Sequence, residues 1–169
     1  IFMNILVTGS EGFVAKNLII KLKHLKYNII KFNKKNNLKE LKNKILKSDV
    51  IFHLAGENRS NSEKNFLKNN VNLSKKISEF IIIKKLKKKI IFSSSTQVKT
   101  NKQSIYAKTK LIAEKELIKC SKKTNSVVSI YRIPNVYGKW SKENYNSVFA
   151  TFAHNISRLK KNKNFQFKK

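Results

Sequence analysis

A glycine elbow between a strand and a helix constrains this chain more than any other feature. The apolar run at residues 3–7 ends abruptly in Thr8-Gly9-Ser10-Glu11-Gly12-Phe13-Val14-Ala15. Beyond it, Phe13, Val14, Leu18, Ile19, Leu22 and Leu25 recur at helical spacing. A buried parallel strand that turns through glycine into a helix is the first unit of a nucleotide-binding α/β sheet. Gly9 permits the tight turn, Gly12 lets backbone approach a pyrophosphate, and Ala15 is the small residue where helix and strand pack closely. The helix then points its free amides at the phosphates. Thr8, Gly9, Glu11, Gly12, Phe13 and Val14 are therefore the first cofactor-binding candidates; an ordinary strand-to-helix turn is the alternative.

The same alternation runs to the end. Strands are predicted at 29–32, 50–55, 90–92 and 127–133, and helices around 38–46, 63–87, 106–122 and 147–160. Alternating strands and helices build a parallel sheet covered on both faces. The expected fold class is α/β, a Rossmann-like doubly wound parallel sheet, with strand order 3-2-1-4-5. One domain is expected to occupy residues 1–169.

Three further positions carry chemistry. After the second strand, folds of this kind that hold NAD place an acid against the ribose hydroxyl. Here the residues are Phe32-Asn33-Lys34-Lys35. Asn33 and a lysine, Lys34 or Lys35, suit a 2′-phosphate, so NADP(H) is expected in preference to NAD(H). Leu54, Ala55 and Gly56 end the third strand with small residues over which a cofactor can pass, and Ile133 ends the fifth at the same crevice. Tyr106-Ala107-Lys108-Thr109-Lys110 puts a phenol and an amine on one helical face. A phenol titrates near pH 10, and a neighbouring ammonium favours its ionised form, so the pair can exchange a proton with a carbinol oxygen while a hydride moves. Ser95, at the carboxyl end of the fourth strand, is the expected third catalytic member beside Tyr106 and Lys110.

Charge is the discordant feature. The 169 residues include 38 Lys+Arg against 9 Asp+Glu, a net charge of +29. Such an excess suits nucleic acid or an anionic surface. Yet the excess is almost all lysine, accompanied by Asn and Ile, as AT-rich codon usage would produce. Arginine, the residue suited to reading bases, is confined to Arg59, Arg132 and Arg158. No specific nucleic-acid partner is expected. Neither is a membrane partner, since no apolar run of spanning length occurs. The single cysteine, Cys120, excludes an internal disulfide and fits a reducing, cytoplasmic setting. His24, His53 and His154 assemble no metal site.

The spacing Gly-x-x-Gly-x-x-Ala, the Tyr-x-x-x-Lys pair and Arg132-Ile133-Pro134-Asn135-Val136-Tyr137-Gly138 together resemble the extended short-chain dehydrogenase/reductases, the epimerase/dehydratase type. Within them, His53-Leu54-Ala55-Gly56-Glu57-Asn58-Arg59, the short gap from Ser95 to Tyr106, and Gly138-Lys139-Trp140 with Asn144-Tyr145-Asn146-Ser147-Val148 are similar to the capsule and O-antigen reductases that act on a UDP-2-acetamido-2,6-dideoxy-hexulose on the route to UDP-N-acetyl-L-fucosamine. The resemblance implies an NADPH-dependent reduction of a C4 ketone. Asn135 would contact the nucleoside diphosphate, with Arg59 and Asn146 also on the UDP-sugar, and Asn70 would lie by the cofactor. It further implies a homodimer packed through the helices at 63–87 and 106–122. Extended members continue into a substrate-binding subdomain, and this branch into a metal-holding cupin domain, so the chain is expected to be an incomplete version. A nucleotide-sugar 4-epimerase or dehydratase with NAD, and a non-catalytic dinucleotide-binding fragment, are the competing readings.

Overall fold

A computed structural model describes residues 3–58, 62–100, 104–145 and 147–160. They fall into two compact units, Ile1–Pro134 and Asn135–Lys169. In the first, five strands, β1 (Asn4–Thr8), β2 (Asn28–Phe32), β3 (Val50–His53), β4 (Lys89–Ser95) and β5 (Val127–Ile133), form one parallel sheet. The helices between them are α1 (Phe13–His24), α2 (Leu38–Lys47), α3 (Glu63–Phe66), α4 (Leu73–Ile83) and α5 (Ile105–Thr124). The second unit contains α6 (Val148–Ser157).

Alternation along the strands divides the apolar residues between two cores. Ile5, Val7 and Val50 pack with Ala15, Ile19 and Leu22 of α1. Leu6, Ile51, Ile90 and Phe92 pack on the opposite face with Leu41 and Ile45 of α2, Ile77 and Ile81 of α4, and Ala113 and Leu117 of α5. Local signals agree with this arrangement. Asn37 and Glu40 close a reciprocal capping box on α2. The Ser104 hydroxyl caps α5 by accepting from the Ala107 amide at 3.2 Å.

The strand order is β2-β1-β3-β4-β5, not the expected 3-2-1-4-5. The third strand crosses back over β1, pairing Ile5 with Val50, instead of adding outside β2. Burial explains the choice. Val50, Ile51 and His53 are buried and need a neighbour on each side, whereas β2 exposes Asn28 and Lys31 and tolerates the sheet edge. The reversal of winding therefore lies between β1 and β3, and a crevice opens at their carboxyl ends.

The long helix expected at 63–87 is also interrupted. A π-helical turn, Leu67–Asn72, separates α3 from α4, which ends at Ile83. Such widened turns concentrate at functional sites, and this one carries Asn70.

Candidate active site

The glycine loop meets the third strand with no room to spare. Gly9 has φ 65°, and a Cβ there would stand 2.7 Å from the Cα of Ala55 and 2.8 Å from its nitrogen. Glycine thus satisfies both the turn and the approach of two backbones. Beyond it, α1 begins at Gly12 without a side-chain cap and without an acid in its first turn. The buried Ser10 hydroxyl has no hydrogen-bond partner among the described residues. Free amides, an open helix dipole and an orphaned hydroxyl are the donor set that a pyrophosphate satisfies. The residues present fit a dinucleotide.

A hydrogen-bond chain locks this loop to the elements behind it. The Ala55 amide donates to Thr8 Oγ1 at 3.2 Å, and Thr8 Oγ1 lies 2.8 Å from His53 Nδ1. His53 Nε2 lies 2.8 Å from Ser74 Oγ, which donates to the Asn70 carbonyl at 2.9 Å. With the Ser74 proton committed to Asn70, His53 must donate from Nε2 and accept from the Thr8 hydroxyl at Nδ1. The ring is neutral: burial, aided by the charge of Lys110, pushes its pKa down to about 3. An unfolded histidine titrates near 6.5, so the unfolded chain binds the extra proton first as pH falls. Stability should therefore be intact above pH 6.5 and decline as pH falls toward 3, by about 3 kcal/mol at pH 4.5. Denaturant titrations at several pH values should show this slope between pH 6.5 and 4.5, and His53→Gln should flatten it.

Asn70 is 2 % exposed and clamps two neighbours. Its Oδ1 accepts from the Glu57 amide at 2.7 Å, while Nδ2 donates to the Glu57 carbonyl at 3.0 Å and to Thr109 Oγ1 at 3.1 Å. Loop and α5 are thus tied at the turn that carries Tyr106 and Lys110. Gly56 fits the same junction, since a Cβ there would lie 3.0 Å from Asn70 Oδ1 and 3.1 Å from Lys110 Nζ.

Ser95 ends β4, and Tyr106 and Lys110 stand on the first turns of α5, from which Lys110 reaches back to β4. Ser95 Oγ accepts from the Gln97 amide at 3.2 Å, which leaves its own proton to donate, and its polarity near the Tyr106 phenol partly offsets the effect of burial there. The Tyr106 ring packs against Phe66 with centroids 6.3 Å apart. Lys110 Nζ donates to the Ser93 carbonyl at 2.7 Å and stands 4.7 Å from the centre of the Phe92 ring. Burial draws the Lys110 ammonium down to about 8, against the opposing charge of Glu114. The phenol departs from expectation. Partial burial holds Tyr106 above its usual value, a rise that Ser95 only moderates. Tyr106 is thus a protonated donor at neutral pH, because desolvation disfavours the phenolate more than Ser95 favours it. Ile133 lies beside Ser95, its register partner across β4 and β5.

At the end of β2 the surroundings are mixed. Lys34 pairs with Glu57 at 3.2 Å, and Asn33 Nδ2 donates to Glu11 Oε1 at 2.9 Å. Two carboxylates distant in sequence thus stand where β2 itself supplies none. Phe13, Val14 and Leu54 lie at the same strand ends, on α1 and after β3. Asn135 is exposed in the second unit, and Arg59 and Asn146 lie outside the described residues. Sequence reasoning missed the Thr8–His53–Ser74 chain and the pairing of Glu114 with Arg132 (2.7 Å between Oε2 and Nη2). The one available signal for the latter was that Glu114 follows Lys110 by a helical turn. Among the described residues no helix is long and apolar enough to cross a membrane.

Residues 5–167 match the profile of the NAD dependent epimerase/dehydratase family. The chain is 36% identical over 157 residues to a UDP-2-acetamido-2,6-beta-L-arabino-hexul-4-ose reductase of Pseudomonas aeruginosa, covering 92% of this chain and 42% of that one. It is similar to the solved capsular polysaccharide assembling protein CapF of Staphylococcus aureus, with 35% identity and a TM-score of 0.81 over 96% of this chain and 42% of CapF. A UDP-glucuronic acid 4-epimerase from Bacillus cereus, solved with NAD, shares the fold at 21% identity and a TM-score of 0.79, covering 94% of this chain and 65% of the epimerase. The chain therefore spans about two fifths of the length of its more similar relatives.

Proposed function

Because the chain belongs to the NAD dependent epimerase/dehydratase family, we propose that it is the dinucleotide-binding part of a reductase that uses NADP(H) to reduce the C4 ketone of a UDP-4-keto-6-deoxy-N-acetylhexosamine, in the cytoplasmic synthesis of capsule or O-antigen sugars. The observation that carries this reading is the placement of Tyr106 and Lys110 one turn apart at the start of α5, with Lys110 Nζ on the Ser93 carbonyl at 2.7 Å, two residues before Ser95 at the carboxyl end of β4. A protonated donor suits reduction of a ketone better than oxidation of an alcohol.

The residues divide the work as follows. Gly9, Ser10 and Gly12, with the amides of α1, bind the pyrophosphate. A reduced nicotinamide held there would supply the hydride. Ser95 donates a hydrogen bond to the ketone oxygen, and Tyr106 delivers the proton to that oxygen as the carbinol forms. Lys110, fixed by the Ser93 carbonyl, stabilises the phenolate left behind and steadies the ribose. Positioning and preorganised charge, with no covalent step, account for the acceleration. Arg59, Asn135 and Asn146 are assigned to the UDP-sugar by their motifs. Association as a homodimer through α4 and α5 belongs to the same proposal.

One observation favours a second reading. Glu11 and Glu57 stand at the end of β2, and Glu57 engages Lys34; such carboxylates suit a free ribose hydroxyl, as in a 4-epimerase or dehydratase that holds NAD. Fluorescence titration with NADPH and NADH separates the two. Tighter binding of NADPH is expected, and Glu57→Gln, by releasing Lys34 for the 2′-phosphate, should widen the preference by about fivefold, an effect of roughly 1 kcal/mol. A clear preference for NADH in the unmodified chain defeats the NADP(H) assignment.

A further inference from the structure

Glu114 is a carboxylate with a 2 % exposed side chain, one helical turn beyond Lys110, and the mechanism above does not use it. Its surroundings are built for an anion. Arg132 Nε donates to Oε1 at 3.1 Å and Nη2 to Oε2 at 2.7 Å, a two-point contact, and the Ser94 hydroxyl donates to Oε1 as well. Burial opposes ionisation, but the hydrogen bonds of Arg132 and Ser94 and the charges of Arg132 and Lys110 outweigh it, so the carboxyl lies below its usual value. Arg132 comes from β5 and Ser94 from β4, so the three elements that carry Ser95, Lys110 and Ile133 meet at this carboxylate. Arg132 opens the motif whose Asn135 is assigned to substrate, and its own guanidinium is engaged by Glu114.

Few ionisable groups share the interior with Lys110. Tyr106 and Glu114 lie on its own helix, Arg132 on β5, and His53 on β3 is neutral. Among the described residues Glu114 is the buried anion of this group, Glu57 beside Gly56 being paired with Lys34, and Arg132 offsets it. Resting on the functional reading for its catalytic meaning, we infer that Glu114, buried one helical turn from the buried Lys110 amine and clamped by Arg132 and Ser94, is a positioning residue whose charge balances that amine, with Arg132 setting how much of the charge Lys110 feels. The inference makes a claim of sign that a merely structural ion pair does not. Removing the carboxylate charge leaves Lys110 facing an unopposed guanidinium, and removing the guanidinium leaves it facing an unopposed carboxylate.

The test is the titration of Lys110 in the cofactor-free 169-residue chain, followed by its 13Cε resonance and assigned by the signal that Lys110→Gln removes. Glu114→Gln should lower the midpoint by about one pH unit, a tenfold loss of proton affinity. Arg132→Gln should move it upward. Arg132 is partly exposed, so this second variant remains informative if Glu114→Gln does not fold, and Glu114→Asp should restore much of the original midpoint. Shifts of the same sign in the two glutamine variants, or no shift in either, overturn the inference. In a turnover assay, the alkaline limb of kcat/KM should follow the same two directions. Opposite shifts of the resonance without any sugar reduction would leave the Glu114 inference standing and sink the reductase reading instead.

Discussion

Tyr106→Phe should lower the rate of UDP-sugar reduction by roughly a thousandfold while leaving NADPH affinity within about threefold, because removing a positioned general acid costs on the order of 100- to 10,000-fold. The substitution deletes one oxygen. Its ring keeps the packing against Phe66, with centroids now 6.3 Å apart, and the half-buried position gains no cavity. Nothing that binds the pyrophosphate changes. What disappears is the hydroxyl proposed to deliver the proton to the ketone oxygen. Single-turnover rates of NADPH consumption and direct NADPH titration read the two quantities separately. A variant that turns over at the original rate would remove Tyr106 from the chemistry.

Gly9→Ala should destabilise the chain by about 3 kcal/mol and weaken NADPH binding by more than tenfold. Two costs combine: the residue stands at φ 65°, and its new Cβ would meet the Ala55 Cα at 2.7 Å. Positive φ and an overpacked contact each cost on the order of 1–3 kcal/mol. The obstructing atoms are backbone, so no side chain can rotate away. Relief requires the loop to part from β3, which would also stretch the bond from the Ala55 amide to Thr8. For a chain of this size the loss corresponds to a melting temperature lower by about 10 °C. Thermal denaturation with and without NADPH measures both effects, and unchanged melting and binding would contradict the account of the elbow.

Much of this was legible in the sequence because the informative residues are neighbours there. The elbow is eight consecutive residues, and Tyr106 and Lys110 are one helical turn apart, so local spacing carries their geometry. Ser95 follows from its place at the end of an apolar strand. What escaped depends on distance. Thr8 and His53 are 45 residues apart, and His53 and Ser74 21, so a buried histidine could be recognised but not its partners. Lys34 or Lys35 suits a 2′-phosphate by sequence, but the partner of Lys34, Glu57, lies 23 residues on with no visible link to it. The strand order erred for a different reason: a default topology was assumed, although the polar residues of β2 already marked it as an edge. The π turn around Asn70 was invisible because one widened turn barely disturbs helical periodicity. The Tyr106 phenol lies above its ordinary value because burial dominates, and spacing along a helix reveals a lysine one turn away but not that burial.

On the proposed reading, a cofactor held by this fold gives a hydride to a sugar ketone while Tyr106 supplies the proton. Label transfer tests it most directly. NADPH carrying deuterium at the transferable position would be mixed with a UDP-4-keto-6-deoxy-N-acetylhexosamine, and the sugar product weighed by mass spectrometry. The expected product is one deuterium heavier at C4, with its formation suppressed in Tyr106→Phe. An unlabelled sugar despite bound NADPH, or label transfer indifferent to Tyr106, would contradict it.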